Sequence, residues 1–192
     1  MAKASSAGLL GVLFAAALFP AAMGGGPAQA GVLVVGASMA TVCSRAAVAG
    51  DSRPSQVEIC TRALAEEAMT PRDRAATHVN RGILLMRRRS FQEARQDFEQ
   101  AMAQQPELGE AFANRGSVLL VDGRFQDALK DFDRALALGV TEPERTYFNR
   151  AVAREWLDDF KGAYLDYRKA AQLNPGWPTP REQLVRFTVV KR

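Results

Sequence analysis

Arginine, aspartate, asparagine and cysteine are the residues whose placement here could do chemistry. Arg81, Arg115 and Arg150 are each followed, sixteen residues on, by Asp97, Asp131 and Asp166. A planar guanidinium accepts a carboxylate in bidentate fashion. A strict common offset therefore predicts three internal ion pairs, which fix geometry rather than hold a ligand. Immediately before each arginine stands an asparagine: Asn80, Asn114 and Asn149. An amide side chain donates and accepts at once, so a row of them could bind peptide units whatever their sequence. Alternatively, the asparagines only cap or hydrate their helices. Other chemistry is poorly provided for. His78 is the single histidine, so a His/Asp/Ser relay has little to build on. The two cysteines, Cys43 and Cys60, are not spaced as C-x-x-C, and two thiols alone make a poor zinc site. No glycine-rich phosphate loop appears outside Gly24 to Gly26 in the leader. No catalytic residue, metal or cofactor is expected.

These residues sit inside a repeat. Asn80-Arg81-Gly82 returns after 34 residues as Asn114-Arg115-Gly116, and after 35 more as Asn149-Arg150-Ala151. A second block follows each: Ala94, Phe98 and Ala101; Ala128, Phe132 and Ala135; Ala163, Tyr167 and Ala170. A period of this length marks stacked helical units, none able to bury its apolar face alone. The pattern predicts helix pairs over 42–49 and 54–67, 72–89 and 91–104, 108–121 and 125–138, and 143–157 and 160–173. A last helix is expected over 180–187. Pro106, Pro143 and Pro175 fall at boundaries, where proline starts or stops a helix.

The blocks resemble the tetratricopeptide-repeat family, closely from Ala75 to Pro175. The resemblance implies an all-α fold, a right-handed superhelix of antiparallel helix pairs. Its three full repeats cover about 75–108, 109–142 and 144–177. Residues 42–70 resemble a degenerate pair before them, and residues 177–192 form a capping helix with a basic tail. Gly82, Gly116 and Ala151 would let paired helices approach, while Phe98, Phe132 and Tyr167 fill the seam. His78 lines up with Phe112 and Tyr147, where the family packs a ring. In the degenerate pair, Cys43 aligns with the arginine column and Cys60 with the aromatic column.

The first 30 residues differ in character. Lys3 precedes the apolar stretch Gly8 to Phe19, and Ala28-Gln29-Ala30 has the small-x-small form of a cleavage site. The stretch is shorter than the roughly 20 residues that a membrane span needs. It reads as a signal peptide, cleaved after Ala30 or after Ala40, with residues 31–41 an extended lead-in. The chain is expected in a bacterial periplasm, with no membrane span after cleavage. In an oxidising compartment a cysteine pair is normally bridged, so Cys43 and Cys60 are expected to form a disulfide.

Formal net charge is +4, with charged residues at 24% and apolar residues at 47%. Bases are interleaved with acids, which argues against a nucleic-acid partner. The resemblance implies that Asn80, Asn114 and Asn149 face a concave groove, together with Ile83, Arg87, Ser117, Arg145, Phe148 and Trp156. The expected function is a non-catalytic scaffold of the cell envelope that binds a protein or extended peptide there. Alternatives are a homo-oligomer built through the solenoid ends, or a glycan-binding module using Trp156.

Overall fold

Short capping interactions set where the helices start. The Ser38 hydroxyl accepts from the Thr41 N–H at 3.3 Å, the Thr70 hydroxyl from the Asp73 N–H at 3.1 Å, and the Asp159 carboxylate from the Gly162 N–H at 2.9 Å. Each satisfies an amide that a helix N-terminus leaves without an intrahelical partner. Pro54 and Pro143 open two further helices, and Pro71 follows the Thr70 cap, each at the position where a missing N–H costs nothing.

A computed structural model describes residues 2–4 and 38–189. The helices are α1 (Met39–Ala49), α2 (Pro54–Glu66), α3 (Pro71–Arg87), α4 (Phe91–Gln104), α5 (Gly109–Val121), α6 (Phe125–Leu138), α7 (Pro143–Trp156), α8 (Phe160–Leu173) and α9 (Thr179–Leu184). Two three-residue strands, β1 (Ala2–Ala4) and β2 (Phe187–Val189), pair antiparallel with Ala2 opposite Val189. The leader read over residues 1–30 lies outside the described residues except for Ala2–Ala4, and so does Val32 to Val35.

The fold is all-α. Each helix packs mainly on its pair mate and then on the helix that follows. Paired helices meet through the small-residue columns. A Cβ at Gly82 would lie 2.5 Å from the Phe98 ring, and one at Gly116 would lie 2.7 Å from the Phe132 ring. Phe98, Phe132 and Tyr167 have no solvent exposure. The turn within each repeat passes through the left-handed region at the same place: Arg89 (φ 65°), Gly123 (φ 72°) and Asp158 (φ 59°). Only the middle repeat fills it with glycine, the residue with no steric cost there.

Most boundaries fall within two residues of the expectation, and two depart further. Helix α1 begins at Met39 rather than 42, because Ser38 caps it and Glu67 accepts from the Met39 and Ala40 N–H groups at 2.6 and 3.2 Å. That partner lies 28 residues away, so local pattern could not show it. The terminal helix ends at Leu184 rather than 187. Phe187 leaves the helix and its ring lies near Tyr164 and Tyr167, at 5.9 and 6.0 Å between centroids. The loop after α8 lays Trp177 on Phe148 at 4.9 Å.

Cys43 on α1 and Cys60 on α2 form a disulfide, Cα–Cα 5.0 Å, and both are fully buried. It joins the pair that lacks both an arginine–aspartate rung and a seam ring. Closing a loop of 17 residues stabilises by roughly 3 kcal/mol in the chain-entropy model. The Cys43→Ala/Cys60→Ala variant should lose about that much stability in urea unfolding monitored by circular dichroism. An unchanged midpoint would show that the bridge adds nothing.

Candidate functional site

The arginine–aspartate columns form three bidentate rungs. Nε and Nη2 of Arg81 donate to the two oxygens of Asp97 at 2.8 and 2.7 Å. Arg115 donates to Asp131 at 2.7 and 2.8 Å, and Arg150 to Asp166 at 2.8 and 2.7 Å. Each rung ties the first helix of a repeat to its second. The carboxylates are buried, at 2% to 5% exposure, where an ionised acid persists only if paired and hydrogen-bonded. The hydrogen bonds that Arg115 donates to Asp131 hold it above the usual arginine range. Burial works to lower Arg150, but the bonds and charges of Asp166 and Asp133 outweigh it and hold that group above the usual range too.

The rungs carry additions that spacing did not reveal. His78 does more than pack: its Nδ1 lies 2.8 Å from Asp97. Arg154 reaches Asp166 at 2.9 Å. At the C-terminal end, Glu155 sits in the column where Met86 and Leu120 are buried, and is itself 6% exposed. Nη2 of Arg186 donates to both of its oxygens at 2.8 Å, and the Tyr167 hydroxyl donates at 2.9 Å. Burial and then the Glu155 charge push the Tyr167 hydroxyl well above its usual range. A carboxylate in an otherwise apolar column was the signal available for this network.

The first helices α3, α5 and α7 carry the candidate binding residues, and the structure corrects three of them. Asn80 is fully buried, Ile83 is 1% exposed and Phe148 is 1% exposed, so none presents a surface to a partner. Ile83 packs in one cluster with Cys43, Ala46 and Ala47 of α1, and Phe148 is covered by Trp177 and Tyr167. Asn114 and Asn149 are partly exposed. Asn114 donates to the Glu110 carbonyl of its own helix at 2.8 Å. Asn149 donates to the Ser117 hydroxyl at 3.1 Å, which in turn donates to the Ala113 carbonyl at 2.9 Å. That relay joins α5 to α7.

The other candidates have partners as well. The Arg87 guanidinium presses on Gly50, where any Cβ would overlap Nη1. Burial and then repulsion from Arg145 lower its pKa. Arg145 pairs with Glu142 at 3.1 Å and lies 5.9 Å from the Trp177 ring. Trp156 stacks on Phe125 at 5.0 Å with an interplanar angle of 5°, so one face of its ring is occupied. Among the described residues no group of three His, Cys, Asp or Glu side chains is placed to hold a metal.

A sequence model described as tetratricopeptide repeat matches residues 79–143 and again 116–176, together more than half the chain. The chain belongs to the tetratricopeptide-repeat family. No curated protein matches its sequence. Among solved structures it resembles the tetratricopeptide domain of Arabidopsis OM64, at 22% identity over 60% of this chain and 95% of that one, with TM-score 0.57. It also resembles MamA residues 41 to the end from Desulfovibrio magneticus RS-1, at 18% identity over 76% and 79%, with TM-score 0.62. At these identities the likeness is one of fold. Tetratricopeptide arrays are in general protein-interaction scaffolds.

Each rung should behave as a coupled unit. Arg115→Leu or Asp131→Leu alone strands a buried charge and should cost about 3 kcal/mol in urea unfolding. The double variant should cost well below the sum. Additive costs would show that the two side chains are energetically independent.

Proposed function

We propose that this tetratricopeptide-repeat protein is an exported scaffold that holds an extended segment of a partner protein across α5 and α7. The observation that carries the reading is the run of partly exposed polar groups Asn114, Ser117, Arg145 and Asn149, on helices that the rungs hold rigidly. Neighbouring helices pack about 8–10 Å apart, and extended chain advances about 3.3 Å per residue. Asn114 and Asn149 would therefore meet the guest backbone about every third residue. Each keeps its amide oxygen to accept a guest N–H, while Arg145 draws an acidic guest side chain. With Asn80 buried, the ladder has two rungs rather than three.

Export is supported by the composition of the leader and by the buried disulfide, which suits an oxidising compartment. Among the described residues no helix is long and apolar enough to cross a membrane. Of the two cleavage points, Ala30 fits the fold better. Cutting after Ala40 would remove the Ser38 cap and the amides that Glu67 receives. Intact mass of the protein recovered from the periplasm should give a chain beginning at Gly31. A chain beginning at Thr41, or retention in the cytoplasm with the leader uncut, would refute this assignment.

Neither alternative gains support. The last seam is covered by Trp177 and Phe187, which pack on Phe148 and Tyr167, so self-association there would have to use the outer surface of that segment. A sugar could meet only one face of Trp156.

The test of the groove is crosslinking in cells from a photoreactive residue at position 114. A protein partner should be captured. The Asn149→Ala/Ser117→Ala/Arg145→Ala variant should keep its helical content and lose the crosslink. Capture at undiminished yield in that variant would reject the polar face as the binding determinant.

A further inference from the structure

The three rungs differ in what the remaining arm of each arginine does. In the first repeat, Nη1 of Arg81 donates to the Thr61 hydroxyl on α2 at 3.2 Å. In the third, Nη1 of Arg150 donates to Asp133 on α6 at 2.7 Å. Each arm thus ties its repeat to the second helix of the unit before. The same place on α4 is held by Glu99. In the middle repeat that tie is absent: Arg115 spends Nε and Nη2 on Asp131, and Glu99 lies 3.9 Å from Nε of Arg95, beyond hydrogen-bond reach. The Nε of Arg95 is buried and has no acceptor. Among the described residues, no ion pair crosses from α4 to α5 or α6.

A cleft of about 210 Å³ opens at this junction, where Arg95, Arg115, Arg124 and Lys130 face the carboxylates of Glu99, Asp127 and Asp131. Two of its carboxylates are committed. Asp131 is held by the Arg115 fork, and Asp127 by Arg124 at 2.7 Å and Lys130 at 3.3 Å. Glu99 is loosely held, 3.9 Å from Arg95 on its own helix, and its charge acts on Arg115 across the junction. The Nε itself is closed to a guest, but the rest of the Arg95 side chain, 32% exposed, lines the cleft.

We propose that the cleft is a second docking point, separate from the face of α5 and α7, for an acidic side chain of a partner protein. The guest carboxylate lies between Arg95 and Arg115. It supplies at this junction the acceptor that Asp133 supplies at the next, and so clamps the first repeat to the second. A carboxylate suits the site because its internal counterpart is one.

The full chain, labelled with ¹⁵N, provides the test through the Nε–Hε resonances of its arginines. The probe is acetylated hexaglutamate, with hexaglutamine at equal ionic strength as control. Arg95 and Arg115 should shift and saturate with hexaglutamate alone. Arg95→Gln, which leaves every rung intact, should weaken binding about tenfold, the worth of one hydrogen bond to a charged group. Glu99→Gln, which removes the competing carboxylate, should tighten it. Shifts that grow linearly without saturating, an equal response to hexaglutamine, or an affinity unchanged in Arg95→Gln would overturn the proposal. So would saturation by inorganic phosphate where hexaglutamate fails. Arg95→Gln should leave crosslinking from position 114 intact if the partner engages the two surfaces independently, so the two readings can fail separately.

Discussion

A buried carboxylate gripped by a guanidinium fork is the constraint on which this solenoid rests. Helix pairs with small residues at their seam could slide or rotate against one another, since apolar contact is not directional. The fork removes that freedom. It demands two parallel hydrogen bonds in one plane, so the partners must meet at one height and one rotation. Repeating the device in three units gives three first helices a common orientation. Polar side chains one unit apart, such as Ser117 and Asn149, then meet in register.

The same device explains how the units are joined. Free arms of Arg81 and Arg150 reach back to the preceding unit, so one side chain serves both pairing and stacking. In the degenerate pair a disulfide between the arginine column and the ring column takes the place of the fork as the link between helices. A covalent bridge suits a unit that, among the described residues, packs on one neighbouring unit and so has little core area to share.

Much of this architecture was legible in the sequence, because each unit repeats the same solution. The columns of small residues, rings, arginines and aspartates each returned three times, and three occurrences at one offset leave little room for accident. What escaped was whatever occurs once. The cap that Glu67 places on α1 spans a long sequence separation. The tie of His78 to Asp97 looked like ring packing because Phe112 and Tyr147 hold its column. The burial of Asn80, Ile83 and Phe148 was missed because periodicity treats every unit as interior. The first unit lies against a stapled pair whose core takes in Ile83, and the last lies under its own C-terminal segment.

Glu155 sets what can cover the third unit. An internal unit presents methionine or leucine to the unit that follows, and any further copy of itself would fit there. The last unit presents a carboxylate, and Arg186 is the cation that neutralises it. An apolar surface laid there in place of the C-terminal segment would leave that negative charge buried without its partner. A unit docked in place of this segment would have to bring a cation of its own to the position that Arg186 now fills.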